Sequence, residues 1–251
     1  MTACYVPVHM RRLFLLLLFV AACGGKTTPP DAGPMIDTSC GIDCASQNRY
    51  GLIAGTCFEY SDTTATASPP ALAAVVETKR ELEGGIPVVD VTYSIGGQRR
   101  MQDSFTIVNG ELKLVRRGFG TGGVSASYKN AAGDLEGVRW VGATTGVGET
   151  LTTMTNADVT TTPRVNEATT YRVTTSAPGA TDLQTPYATF DGGLRMLITE
   201  TPDHGADTRR VFVPGVGFTL ITTPLALTGG TSQEYKLQNI KSTADAGLCG
   251  F

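Results

Sequence analysis

Few side chains in this protein are of the types that act as nucleophiles, general bases or metal ligands, since it has two histidines and six cysteines. His204 lies in the segment Thr201–Asp207, close to Asp203 and Asp207. There it could serve as the general base of a hydrolase or share a cation with the carboxylates. The Pro, Gly and Asp of the segment are typical of an exposed turn. No Gly-x-Ser-x-Gly elbow occurs, and the acids do not have EF-hand spacing. We therefore predict neither a catalytic residue nor a metal ligand in this segment.

Cys23 ends a segment that has three parts. Arg11 and Arg12 precede the apolar run Leu13–Phe19, and the small residues Val20–Ala22 come directly before the cysteine. A basic, then apolar, then small-residue order is typical of a secretory signal. Together, residues 13–22 make ten apolar residues, about half of what a transmembrane helix needs. The pattern therefore predicts export rather than a membrane-spanning helix.

The tetrapeptide Val20-Ala21-Ala22-Cys23 resembles the lipobox of bacterial lipoproteins. The resemblance implies that residues 1–22 are removed as a signal peptide and that Cys23 carries a diacylglyceryl group with palmitate-type chains. Gly24 stands where many bacteria use Asp as an inner-membrane retention signal. We therefore expect the protein to be lipid-anchored at the outer membrane, on its periplasmic side or at the cell surface.

Four further cysteines, Cys40, Cys44, Cys57 and Cys249, remain after processing. An even number in an oxidising compartment predicts two disulfides, and three pairings are possible. A Cys40–Cys44 bridge would close a tight loop and is the least attractive, so we expect Cys249 to pair with Cys40 or Cys44. A zinc site is disfavoured, because paired C-x₂-C spacing is absent and almost no histidine is available.

Net charge and glycine spacing exclude two further classes. Loss of residues 1–22 changes the net charge from −3 to −5, so the protein lacks the basic footprint of a nucleic-acid-binding protein. The segment Gly118–Gly123 satisfies Gly-x-Gly-x-x-Gly, but the residues after it have strand character, whereas a dinucleotide site needs a helix there. We therefore predict no cofactor and interpret these glycines as a tight turn between strands.

The elements that would position these residues are mostly strands. Apolar and polar residues alternate with a period of two in several runs. These runs are Val89–Ile95, Phe105–Ile107, Leu112–Val115, Phe218–Thr222 and Tyr235–Ile240. Asn109-Gly110 predicts a hairpin with a type I′ turn, and Gly96-Gly97 predicts a second hairpin. Ala71–Leu82 could be a helix or a strand, and we favour a strand. Leu194–Ile198 is equally ambiguous.

These patterns predict an all-β fold with a single large curved antiparallel sheet, half-barrel or barrel-like, and at most one substantial helix. Residues 23–39 are small, polar and rich in Pro and Gly, as in a tether. Residues 40–251 then form a single β domain. Residues 144–176 are rich in Thr, which indicates either exposed strands with their connections or a hydroxyl-bearing surface for binding or glycosylation.

Two resemblances bear on function. Arg209–Phe218, which contains Pro-Gly-Val-Gly, is similar to the strand-turn-strand step of the lipoprotein-localisation half-barrel family. The protein as a whole resembles uncharacterised envelope lipoproteins of myxobacterial type. We therefore expect a non-enzymatic binding module for an apolar or extended ligand, or for an envelope protein. The alternatives are a secreted hydrolase that uses carboxylates or His204, and a structural or adhesive surface module.

Overall fold

The computed structural model describes residues 44–62, 71–120, 125–160, 164–203, 208–222 and 232–242, which all belong to one compact unit, Ala32–Phe251. The described residues form one short helix, α1 (Cys44–Tyr50), one 3-10 turn (Glu83–Gly85) and fourteen strands. The strands are β1 (Thr56–Ser61), β2 (Leu72–Val76), β3 (Arg80–Glu81), β4 (Pro87–Ile95), β5 (Gln98–Val108), β6 (Glu111–Phe119), β7 (Ser125–Lys129), β8 (Val138–Gly142), β9 (Thr150–Val159), β10 (Arg164–Ser176), β11 (Leu194–Thr201), β12 (Thr208–Val213), β13 (Gly217–Thr222) and β14 (Glu234–Ser242).

The strands form one antiparallel sheet that closes on itself. Its order is β2-β1-β14-β13-β12-β11-β10-β9-β7-β6-β5-β4, and β2 also pairs with β4, with Val75 opposite Thr92. The result is a closed barrel of twelve strands, with β3 and β8 outside this ring. The predicted all-β class and barrel-like sheet are therefore confirmed. Within the described part of the chain, no helix is long and apolar enough to cross a membrane.

The hairpins form where the turn residues predict them. Asn109 and Gly110 both have positive φ, 52° and 74°, as a type I′ turn between β5 and β6 requires. Gly96 and Gly97 also have positive φ between β4 and β5. The segment Ala71–Leu82 contains strands β2 and β3, so the favoured prediction is confirmed there.

β7 and β8 share one place in the barrel wall. Both run antiparallel to β6, β7 beside Arg116–Gly118 and β8 beside Glu111–Leu114. On its other side β7 pairs with β9, and Thr153 of β9 accepts a hydrogen bond from the backbone N–H of Arg139 in β8. The two strands therefore act as one strand that is interrupted by residues 130–137. This arrangement carries Trp140 into the barrel interior.

Helix α1 packs across one end of the barrel. The Tyr50 hydroxyl donates to the carbonyl oxygens of Gly110 (2.6 Å) and Val141 (3.2 Å), and its ring lies 5.7 Å from that of Phe212. Gly51 follows with φ of +67°, and a Cβ there would stand 2.3 Å from the carbonyl oxygen of Val216. Only glycine fits this close approach.

Candidate functional site

The barrel interior is filled by a cluster of charged and aromatic side chains. Asp103 accepts hydrogen bonds from Arg117 Nε (2.7 Å) and Nη2 (2.9 Å), and also from Arg210 Nη2 (3.1 Å). All three side chains are at most 1% exposed. Burial lowers the pKa of the Arg117 guanidinium, but its ion pair and hydrogen bonds with Asp103 outweigh burial and raise that pKa above its ordinary value. One carboxylate is therefore shared by two converging guanidinium groups.

Aromatic rings surround these charges. The Arg210 guanidinium lies 4.7 Å from the ring centre of Trp140 and 5.0 Å from that of Phe218, and its Nη1 donates to the Tyr93 hydroxyl at 2.7 Å. Trp140 Nε1 donates to the Tyr171 hydroxyl at 2.8 Å. Cation–π contacts gain strength when both partners are desolvated. Large side chains from β4, β6, β8, β10, β12 and β13 therefore meet across the barrel and fill it.

The cavities beside this cluster are small. One, lined by Leu52, Val89, Phe105 and neighbouring residues, has a volume of about 20 Å³. Another, lined by Tyr60, Tyr93 and neighbours, has about 10 Å³. Each has room for about one water molecule. Small-molecule sites are typically of about 300–1,000 Å³, so these two cavities cannot hold a lipid or a comparable ligand.

The structure places the residues predicted from sequence unevenly. Cys57 is fully buried in β1 and is disulfide-bonded. Cys23, Cys40 and Cys249, as well as the side chain of Cys44, lie outside the described residues, so the pairing stays a prediction. His204 and Asp207 also lie outside them, and Asp203 is exposed after β11. Among the described residues, no group of three or more His, Cys, Asp or Glu side chains is placed to hold a metal ion.

The Thr-rich segment separates into two populations. Three of its Thr pairs, Thr152-Thr153, Thr169-Thr170 and Thr174-Thr175, lie in β9 and β10, where successive side chains point to opposite faces of the sheet. On one face the hydroxyls are bonded to backbone: Thr155 donates to Lys129 and Thr175 donates to Gly146, both at 2.6 Å. On the outer face, the hydroxyls of Thr152 and Thr170 have no protein partner within the described residues. One set of threonines in the segment therefore stabilises the barrel, and the other set lies on its outer surface.

The outer population forms an ordered array with β11, which we call the threonine face. Its nine residues form three rows across β9, β10 and β11, because the registers of the two strand pairs coincide. The rows are Thr150, Thr174 and Leu197; Thr152, Arg172 and Thr199; and Met154, Thr170 and Thr201. Six of the nine are threonines, and an arginine occupies the centre.

The threonine face exposes two apolar side chains and an arginine among its threonines. Met154 is 84% exposed and Leu197 is 53% exposed, at diagonally opposite corners. Arg172 is exposed and has no ion pair with any described residue. The hydroxyls of Thr150 and Thr174 lie 3.4 Å apart, whereas those of Thr199 and Thr201 bond to nothing in the described part of the protein. The face therefore presents one free cation, free hydroxyls and two apolar side chains to the surroundings.

Sequence reasoning identified the Thr-rich stretch but not its geometry or its partner strand. Thr199 and Thr201 lie outside residues 144–176, and their row positions depend on the pairing of β10 with β11. The alternation of residues in β9 and β10 does separate the outer set from the inner set. Nothing local indicated Arg172 as the centre.

The fold and these two clusters define an all-β, closed-barrel protein with a packed interior and a polar, hydroxyl-rich outer face. Comparison of the chain with family models, with curated proteins and with solved structures finds no match. The resemblances to bacterial lipoproteins and to the half-barrel family therefore stay predictions from their motif residues.

Proposed function

We propose that this protein is a lipid-anchored, non-enzymatic binding module of the cell envelope that acts through the outer surface of its barrel. The observation that carries the proposal is the contrast between inside and outside. The interior is filled by the protein's own Arg, Asp, Tyr and Trp side chains. The threonine face presents hydroxyls and a cation that no described residue uses.

This contrast favours an extended ligand over an enclosed apolar one. The two interior cavities described above have volumes of only about 20 and 10 Å³. A ligand that binds along the barrel wall needs no cavity. It needs polar groups placed at regular spacing, which three paired strands provide.

The lipid anchor rests on the sequence around Cys23. The threonine face lies on the side of the barrel, whereas α1 packs on one end. We expect Cys23→Ser to abolish acylation and to leave unprocessed precursor, because the thiol is the acceptor. Metabolic labelling with an alkyne fatty acid measures this directly, and label in the variant would contradict the anchor.

Complementation of a strain that lacks the gene tests the binding function. We expect a variant with Thr152→Asp and Thr199→Asp, which places two carboxylates beside Arg172, to fold and to be exported but not to restore the envelope phenotype. His204→Ala should restore it fully. Loss of complementation by a stable, exported His204→Ala variant would favour the hydrolase instead, since general-base catalysis contributes about 10²–10⁴-fold in rate.

A further inference from the structure

We propose that the threonine face binds an acidic polysaccharide, with a carboxylate of the polymer on the Arg172 guanidinium and polymer hydroxyls on the surrounding threonines. This inference rests on the proposed function and names its ligand. It depends on the charge, the hydroxyl pattern and the size of the face.

The positive charge of Arg172 at the centre of the face favours an anionic ligand. Two neighbouring arginines of the outer surface have acidic partners: Arg195 lies 3.8 Å from Asp182, and Arg209 pairs with Glu234. Arg172 has no such partner among the described residues. A guanidinium matches a carboxylate with two parallel hydrogen bonds. A second copy that docked by the same face about a two-fold axis would instead place another arginine near Arg172, which disfavours that mode of self-association.

The threonine hydroxyls favour a ligand that can both donate and accept hydrogen bonds. Thr152 and Thr199 stand directly opposite Arg172 in the two strand pairs. Each Thr hydroxyl has one donor and two acceptor positions, as each sugar hydroxyl has. Met154 and Leu197 can contact the apolar faces of sugar rings at the two ends of the array. A uronic-acid polymer combines all three kinds of group in every residue.

The size of the face disfavours a folded protein partner. Three strands about 4.8 Å apart and three rows about 6.8 Å apart span roughly 14 by 20 Å. That is about 300 Å², whereas a stable protein interface needs about 800 Å² from each partner. A peptide strand cannot add to the sheet here either, because β9, β10 and β11 are all paired on both sides within the closed barrel. A single polymer chain fits the available area.

The absence of aromatic side chains on these nine positions makes the ion pair decisive. The one tryptophan, Trp140, is fully buried in the interior and cannot stack on a sugar. Binding should therefore weaken with salt, since an exposed ion pair is screened over about 10 Å at 0.1 M ionic strength. Loss of a hydrogen-bonded charge should weaken binding at least about tenfold.

The test measures binding of the full chain, purified from cells, to three probes: polygalacturonate, neutral dextran and polyglutamate. We expect binding to polygalacturonate alone. Arg172→Gln should weaken it at least about tenfold, and Thr152→Val with Thr199→Val should weaken it several-fold without changing the fold. Arg100→Gln is the matched control, because Arg100 is also exposed and has no ion pair among the described residues. It should bind as the wild type does.

Three results would overturn the inference: no binding to polygalacturonate, equal binding to polyglutamate, or equal losses in the Arg172 and Arg100 variants. Equal binding to polyglutamate would mean that the face recognises acidic polypeptides through charge alone. Circular dichroism of each variant excludes misfolding as the cause. If polygalacturonate does not bind but the Thr152→Asp, Thr199→Asp variant still fails in complementation, the ligand assignment is wrong and the proposed function stands.

Discussion

Asp103→Asn should destabilise this fold strongly. Asparagine has nearly the same shape as aspartate but no charge, so Arg117 and Arg210 would lose the carboxylate that they share. Glu200, 3% exposed, is a second buried acid of the interior, but both guanidinium groups donate hydrogen bonds to Asp103. The variant therefore leaves two buried positive charges poorly compensated.

The magnitude follows from burial. Removing one partner of a buried ion pair costs about 3–5 kcal/mol. Typical domains unfold with about 5–15 kcal/mol in total, so about a fifth or more of the free energy of unfolding is at stake. The matched control is Glu111→Gln, which removes the same charge from the pair with Arg139 at 2.6 Å. Those side chains are 33% and 43% exposed, and exposed pairs contribute about 0–1 kcal/mol.

Urea unfolding followed by Trp140 fluorescence gives both values. Trp140 is the one tryptophan of the protein, and Arg117 and Arg210 lie over its ring, so its emission reports on the same cluster. Equal losses in the Asp103→Asn and Glu111→Gln variants would refute the reasoning. Should Asp103→Asn fail to fold, the triple variant Asp103→Leu, Arg117→Met, Arg210→Met still tests it. Removal of all three charges should restore folding, because apolar replacements of a buried ionic cluster are often neutral or stabilising.

Three more predictions concern the rest of the fold. Gly51→Ala should lower the urea midpoint more than Gly148→Ala does. Both positions have positive φ, but only a Cβ at Gly51 meets the backbone, at Val216. Equal shifts of the two midpoints would contradict this. Cys57→Ala should lower the free energy of unfolding by about 2–5 kcal/mol relative to the oxidised wild type, and should be as stable as the reduced wild type. Unfolding with and without reductant measures both differences. Burial raises the pKa of four tyrosines above the ordinary value of 10.0, so they favour the folded state below pH 10 and this contribution is lost as pH rises further. These tyrosines are Tyr60, Tyr93, Tyr128 and Tyr171. Absorbance at 295 nm should show them ionising only together with alkaline unfolding. Ionisation in the folded protein would contradict their burial.

Local features of the sequence predicted most of the elements. The alternating runs became β4, β5, β6, β13 and β14, because a period of two directs one face to a core wherever the strand lies. Asn109-Gly110 formed the predicted turn because both residues tolerate positive φ. Leu194–Ile198 stayed ambiguous until the structure showed it in β11, because a short apolar run has no distinguishing period.

The candidate sites depended on contacts between distant parts of the chain. Arg209-Arg210 looks like an exposed basic pair, yet the register of β12 directs Arg210 inward to Asp103, 107 residues away. Closure of the barrel likewise needs β2 beside β4 and β1 beside β14, which no local pattern encodes. The sequence by itself determined the all-β class and the hairpins, because each depends on neighbouring residues. Tertiary structure alone decided which charges are buried and which threonines align around Arg172, because strand order and register are set by the whole closed sheet.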